Sequence, residues 1–210
     1  MALSALSDEL MRAEGMMMQD QNDEALELLL RLAEDAEEYV DCNCQTTDEV
    51  QYFAFPTLFD RLAYRRVEND PRKLEDVHEP FDRLYGDLAM AYVRTGDYEN
   101  AMNALKTAIR WNPMNCGFRL DLADLFKIAG DIREHIALTF GVFERASEAR
   151  HLTRAFLNFA TWFEAQGRLE QAAACLRAAR RFEVKDSTLE AALDQAAGTP
   201  KDPDGLTDEE

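Results

Sequence analysis

The sequence predicts an all-α protein in which about ten amphipathic helices pair as antiparallel hairpins. Three observations support this fold class. The composition is rich in Leu, Ala, Glu and Arg, which favour helices, and β-branched residues rarely stand next to one another. Apolar residues recur at helical spacing along most of the chain, between short polar or glycine-containing turns. Glycine and alanine positions also recur at a nearly constant interval, which indicates a repeated hairpin.

The periodicity divides the chain into helices with tight connections. Two segments interrupt it, VDCNCQTTDE near residues 40–49 and the charged loop ENDPRKLEDVHEP at 68–80. At the last helix, Ser187 and Glu190 form a capping-box pattern, and Gly198 is a stop signal. The predicted helices are 5–18, 23–40, 48–67, 80–95, 98–111, 116–129, 132–146, 150–166, 168–182 and 187–197.

Three glycines mark the turns of three successive hairpins. Gly130 follows Gly96 by 34 residues, and Gly167 follows Gly130 by 37 residues. We expect Gly96 to adopt the left-handed backbone conformation that ends one helix, and Asp97 to cap the next. Pro113 closes the unit because proline cannot continue a helix.

The residues around these glycines repeat a pattern of large and small side chains. Spacings of three, four and seven place them on one stripe of each helix. Ala89 and Ala101 are expected where two antiparallel helices come closest. The larger residues should fill the space towards the next hairpin: Tyr85, Tyr92 and Tyr98.

Residues 82–115 closely resemble a tetratricopeptide repeat, a 34-residue helix–turn–helix with this order of large, small and proline positions. Residues 116–149 and 153–186 resemble weaker copies. In these, Arg119 replaces the expected aromatic residue, His135 replaces the expected alanine, and the closing proline is missing.

The resemblance implies a right-handed superhelix of stacked hairpins, an α-solenoid. The expected organisation is an N-terminal hairpin at 1–40 that is a degenerate repeat, a linker with one extra helix and a charged loop at 41–81, the repeat at 82–115, repeat-like hairpins at 116–149 and 150–186, a capping helix at 187–198, and a disordered acidic tail at 199–210.

In tetratricopeptide proteins the first helices of the repeats line a concave groove that holds an extended peptide or a partner helix. The resemblance implies a similar use here. Helix geometry assigns the groove to the stripe beside the packing stripe. This stripe contains Arg83, Gly86, Asp87, Met90 and Arg94 in the first repeat, Leu120, Asp124 and Lys127 in the second, and Leu157, Thr161 and Glu164 in the third.

Some members of the family hold a C-terminal carboxylate with Lys, Arg and Asn at these places. Gly86 and Met90 stand where part of that set belongs, so binding of this kind is not expected. Arg83, Arg94 and Lys127 either receive an acidic peptide or form a solvated helix face, and we favour the solvated face.

The charge of the chain disfavours nucleic acid and membrane surfaces as partners. The formal net charge is -18, and both ligands are bound through clusters of Lys and Arg. Acidic residues outnumber basic ones by 20 to 7 in residues 1–80, and the two are nearly balanced in 81–186. The N-terminus lacks signal-peptide features, and four scattered cysteines fit a reducing interior, so we expect a cytoplasmic protein.

Two other features have alternative interpretations. The aromatic run Tyr52, Phe53, Phe55 and Phe59 is either a docking or dimer surface or, as we favour, part of the core. Phe55, Leu58, Phe59 and Leu62 are expected to share one face of the helix at 48–67. The Cys42–Cys44 pair lacks further ligands nearby in sequence, so no metal is expected.

The sequence therefore predicts an adaptor or scaffold that binds a protein or peptide in the concave groove and needs no cofactor. No catalytic motif is found, so an enzyme is not expected. The alternatives are a chaperone-like escort of a client protein and a self-assembling helical-repeat protein. The sequence leaves a homodimer open.

Overall fold

The structure is a computed structural model that describes residues 3–197. Within that range it contains ten helices and two short strands, which confirms the all-α class, while the handedness of a superhelix stays a prediction. The chain divides into two compact units at the bond between Phe118 and Arg119. The first unit contains α1 (Leu3–Met18), α2 (Asn22–Asn43), β1 (Val50–Phe53), α3 (Leu58–Glu68), β2 (Lys73–Asp76), α4 (Phe81–Thr95) and α5 (Tyr98–Trp111). Helix α6 (Cys116–Ile128) crosses the division, and the second unit continues with α7 (Ile132–Gly141), α8 (Ala149–Ala165), α9 (Leu169–Arg180) and α10 (Ser187–Ala197).

The α4–α5 hairpin has the predicted turn. Gly96 has φ of 84° and ends α4, and its N–H is bonded to the carbonyls of Tyr92 and Val93. A left-handed residue with bonds back to the last turn satisfies helix carbonyls that would otherwise lack donors. The Asp97 carboxylate then accepts a hydrogen bond of 3.1 Å from the Asn100 N–H and caps α5.

Alanines allow α4 and α5 to pack closely. Ala89, Ala101 and Ala108 are buried, as the pattern predicted. Tyr85 is also buried, but Tyr98 is exposed, so the expectation that it fills a space between hairpins is wrong. Tyr98 is the first residue of α5, and its position at the helix end leaves its ring in solvent.

The N-terminal helices pack against α4 as a hairpin. Both α1 and α2 contact α4, and the Tyr39 ring meets the Phe81 ring edge-on at 6.0 Å between centroids. The turn between α1 and α2 has no glycine. Asp20 takes the left-handed conformation there with φ of 59°, a position that short polar residues tolerate better than most.

The segment between α2 and α4 differs from its prediction. The predicted helix at 48–67 is wrong in its first part, where β1 pairs in parallel with β2 and Phe53 stands opposite Asp76. Val50–Phe53 is rich in residues that favour strands, and Pro56 cannot donate an N–H to a helix ladder. Helix α3 begins only after Thr57, whose side chain accepts a hydrogen bond from the Asp60 N–H.

This β1–α3–β2 segment has its own small core. The Phe53 and Phe55 rings stack, and the Tyr64 ring packs against both at a tilt, with centroid distances of 4.6–5.7 Å among the three. Leu74 and Met114 complete the cluster. A backbone hydrogen bond of 2.9 Å from Ala54 N to Trp111 O ties the segment to the end of α5.

The second unit contains two further hairpins. Gly130 and Gly167 end their helices with φ of 83° and 72°, as expected. Helix α7 is shorter than predicted and ends at Gly141. His135 is buried as expected. Its Nδ1 lies 2.8 Å from the Ala123 carbonyl oxygen, and because this oxygen can only accept, Nδ1 carries the hydrogen and donates it. Burial lowers the pKa of His135 and keeps the ring neutral.

The last helix starts differently from its prediction. The cap of α10 is Asp186, whose Oδ1 accepts hydrogen bonds from the Thr188 and Leu189 N–H groups at 3.0 and 3.2 Å. Ser187 is instead the first helical residue. The predicted stop at Gly198 and the predicted tail at 199–210 lie outside the described residues.

No helix within residues 3–197 combines the length and the apolar character that crossing a membrane requires.

Replacing Ala101 by Glu tests the close contact between α4 and α5. Ala101 is fully buried, so a charged side chain there must be desolvated and overpacked. We expect the free energy of unfolding to fall by about 3 kcal/mol in urea titrations. Asn103→Glu on the exposed side of the same helix is the matched control and should change it by less than about 0.5 kcal/mol. A similar small effect from both variants would contradict this packing.

Candidate peptide-binding surface

The predicted groove residues of α4 form one stripe beside α1. Arg83, Asp87, Met90 and Arg94 follow one another at helical spacing, and the two arginines contact α1. We call this stripe, with the facing residues of α1, the α1–α4 surface. It lies entirely within the first unit.

An ion pair joins the two helices at one end of the surface. Arg83 donates from Nε and Nη2 to Glu14 Oε1 at 3.0 and 2.6 Å. The Asp87 carboxylate is 3.8 Å from the Arg83 Nε. The Arg83 charge is therefore largely compensated within the unit rather than open to an acidic ligand.

A second arginine joins the helices at the other end. Arg94 donates from Nη1 to the Met17 carbonyl at 2.8 Å, and the same nitrogen lies 3.9 Å from Asp20. The Met17 carbonyl is in the last turn of α1, where carbonyls lack helical donors. Arg94 thus acts as a C-terminal cap for α1.

Asp87 is the most perturbed acid of the surface. Burial, and to a smaller extent the nearby Glu14 charge, raise the pKa of Asp87 to about 7, while Arg83 opposes the shift. Its Oδ2 atom is buried and has no hydrogen-bond partner. The carboxyl therefore changes charge close to neutral pH.

Gly86 does not face open solvent. A Cβ atom added to Gly86 would stand 2.5 Å from Cε1 of the Phe118 ring, so that ring occupies the place of a side chain. The expectation that Gly86 lines an open groove is wrong. Glycine is needed here because the Phe118 ring lies against the α4 backbone.

Exposed methionines complete the surface. Met90 has 48% of its surface exposed, and it lies on α4 between Arg83 and Arg94. On α1, Met11 and Met18 are also exposed, and their spacing puts them on the same stripe as Glu14. Methionine side chains are flexible and polarisable, so such a surface adapts to apolar ligands.

The stripe of α1 that faces α4 was not among the predicted groove residues. The stripe of Met11, Glu14 and Met18 has the same three- and four-residue spacing as the predicted one, so the signal was present. Without a recognisable repeat motif in α1, nothing in the sequence indicated which stripe faces α4.

The predicted groove residues of α6 have different environments. Leu120 is fully buried, so the expectation that it faces solvent is wrong. Arg154 of α8 bonds to the neighbouring Asp121 at 2.7 Å, which shows that α8 reaches this end of α6. Asp124 accepts a bond of 2.6 Å from Arg154 Nη2, and Lys127 is exposed.

The predicted groove residues of α8 are half-buried. These residues are Leu157, Thr161 and Glu164. The Thr161 hydroxyl donates a hydrogen bond of 2.9 Å to the Asn158 carbonyl of its own helix. Arg154, which bridges α8 and α6, was not predicted. A role in ligand binding for these residues and for Asp124 and Lys127 stays a prediction.

Within residues 3–197, no group of three or more His, Cys, Asp or Glu side chains is placed to hold a metal ion.

The hairpins of the two units define a helical-repeat protein. A sequence model of the tetratricopeptide repeat matches residues 82–115, so the chain carries such a repeat, formed by α4 and α5. Among solved structures, the chain is similar to a thermophilic tetratricopeptide repeat protein of Thermus thermophilus, with 18% identity and a TM-score of 0.45 over 91% of this chain and 98% of that one. Comparison with curated proteins finds no match.

Replacing Asp87 by Asn tests the environment of this carboxyl. Between about pH 4 and pH 7, the Asp87 carboxyl is protonated in the folded protein but ionised in the unfolded chain, because its pKa is raised by folding. The free energy of unfolding therefore falls as the pH rises through this window. We expect Asp87→Asn to increase the free energy of unfolding by on the order of 2 kcal/mol more at about pH 8.5 than at about pH 5.5.

Chemical denaturation of both proteins at the two pH values measures this difference. Asp8→Asn, at an exposed position of α1, controls for the loss of one negative charge. If the Asp87→Asn effect were the same at both pH values, the Asp87 carboxyl would not be held protonated by the fold.

Proposed function

We propose that the protein is a non-enzymatic adaptor or scaffold that binds a peptide or protein segment on the α1–α4 surface. The observation that carries this proposal is the exposure of Met90 between two arginines that are already engaged by α1. Tetratricopeptide repeats generally serve protein–protein interaction, and residues 82–115 are such a repeat.

The surface favours apolar anchoring of the ligand. Because Arg83 and Arg94 are compensated within the unit, an acidic peptide would have to displace existing contacts to bind them. Met11, Met18 and Met90 offer exposed apolar area without such a cost. An apolar side chain of the ligand is therefore expected to pack among them.

A basic residue beside that anchor adds favourable charge. Glu14 and Asp87 lie next to one another, and the chain up to residue 80 has 20 acidic and 7 basic residues. A ligand cation near Asp87 favours the ionised carboxylate and is attracted by the surrounding field. The proposed ligand class is a short segment with an apolar side chain followed by Lys or Arg.

A chaperone-like escort of a client protein is the second candidate. The three exposed methionines favour it because a surface of flexible apolar side chains can accept many sequences. The two candidates differ in selectivity, since an adaptor discriminates among apolar–basic peptides and an escort does not. For both, we propose a cytoplasmic location and no catalytic activity.

Peptide binding is tested with synthetic peptides in which a Leu or Phe anchor is followed by Lys, and with matched peptides in which the anchor is Ser. We expect the intact chain to bind the apolar–basic peptides, and Met90→Glu to weaken binding by about tenfold because it places a charge in the anchor position. Met90→Leu should retain binding. Fluorescence anisotropy measures the dissociation constants.

The control variant is Leu169→Glu, which changes an equally exposed apolar residue, 48% exposed, in the second unit. It should leave the affinity unchanged. Equal affinities for Met90→Glu and the unmodified chain, or no binding of any peptide, would argue against this surface. Equal affinity for all anchored peptides would favour the escort over the adaptor.

A further inference from the structure

Helix α3 exposes an apolar stripe that continues into two arginines. Leu58, Phe59 and Leu62 have 70%, 63% and 60% of their surfaces exposed. The expectation that Phe59 packs in the core is therefore wrong. Arg65 and Arg66 follow on the same side one to two turns later, and both are exposed. We call these five residues the outer face of α3.

The opposite side of α3 already supplies its share of the core. Tyr64 is buried in the aromatic cluster with Phe53 and Phe55, and Ala63 and Val67 pack against it. Helix α3 is therefore packed against the protein on one side, and its outer face stays exposed although the helix is firmly attached. Three neighbouring large apolar side chains in solvent are unusual for a monomer surface and are typical of an interaction site.

The outer face is held in a fixed position. Arg61 donates from Nη2 to the Leu74 carbonyl at 2.6 Å, and the Tyr64 hydroxyl donates to Asp70 at 2.9 Å. The Thr57 side chain caps the first turn. Because the helix is anchored at its start, middle and end, a ligand does not have to order it on binding.

The charges on α3 indicate what kind of partner fits. Arg61 is bonded to the Leu74 carbonyl, and nearby Arg72 is paired with Asp70. No ion pair within residues 3–197 involves Arg65 or Arg66, and both side chains are exposed. Residues 50–80 hold six acidic and five basic residues, so the surroundings of these two cations are nearly neutral, whereas residues 1–49 hold 14 acidic and 2 basic ones.

We infer that the outer face of α3 docks an acidic amphipathic helix of a partner protein. Two to three apolar side chains of that helix would cover Leu58, Phe59 and Leu62, and its carboxylates would pair with Arg65 and Arg66. The stripe from residue 58 to 66 is about 12 Å long, which matches two turns of a helix lying along it. This is independent of the α1–α4 surface.

A second copy of the chain is a poorer fit. In a contact of this face with the same face of a second copy, Arg65 and Arg66 would meet no carboxylate, because none of its five residues is acidic. Two chains with a formal net charge of -18 each also repel one another. The same net charge opposes an anionic membrane surface.

A charge-swap experiment tests this inference. Two synthetic helical peptides share one Leu stripe and differ only in its flanking residues, which are Glu in one and Lys in the other. In full-length Met90→Glu, whose α1–α4 surface no longer competes for the Lys peptide, we expect the Glu peptide to bind at least about tenfold more tightly at about 0.15 M salt, where charges beyond about 8 Å are screened. Adding Arg65→Glu and Arg66→Glu to this chain should reverse that preference. Leu62→Ser should weaken the binding of both peptides.

One control variant and one repeat separate this surface from other effects. Arg133→Glu, at an exposed position of α7, should leave the preference unchanged. Phe59→Ser repeats the Leu62 test at a second exposed position, and circular dichroism confirms that each variant is folded.

The inference is overturned if the Met90→Glu chain binds neither peptide, binds both equally, or keeps its preference after the charge reversal. It is also overturned if sedimentation shows self-association that Leu62→Ser abolishes, because the occupant is then a second copy. Binding to phosphatidylserine vesicles in place of the Glu peptide would assign the surface to a membrane.

Discussion

The first unit depends on one steric constraint, the close approach of α4 and α5. Ala89, Ala101 and Ala108 leave no side-chain bulk between the two backbones, so the helices pack with little freedom to slide or rotate. That rigidity fixes which residues of α4 turn towards α1 and α2. The buried Asp82, which accepts a hydrogen bond of 2.9 Å from Asn112, adds a polar contact between the start of α4 and the end of α5.

The α1–α4 surface follows from this arrangement because α4 presents a fixed stripe to α1. Arg83 and Arg94 hold α1 in place, so residues that look like a ligand-binding basic strip instead join two helices. The apolar side chains between them remain in solvent. Residues of one stripe of α4 thus have different roles: the two arginines assemble the unit, and Met90 stays on its exposed surface.

The sequence predicts most of this fold because helical periodicity, glycine turns and alanine contacts are local signals. The prediction is wrong where local signals compete. At 48–67 the apolar spacing fits a helix. The residues before Pro56 favour a strand, however, and they form β1 because β2 at 73–76, which is distant in sequence, pairs with them. Leu120 and Gly86 illustrate a second limit: helix geometry gives the direction of a side chain, whereas Phe118 and α8 decide whether that direction is open.

The β1–α3–β2 segment leaves the hairpins after α2 and returns at α4. Tyr39 near its start and Phe81 just after its end are in ring contact, so the two points where it joins the hairpins are neighbours. A loop whose ends are already held together by the rest of the fold adds little further cost when its length changes. The β1–α3–β2 segment can therefore change in length and sequence during evolution, and a new binding specificity can arise there without a change in the hairpins.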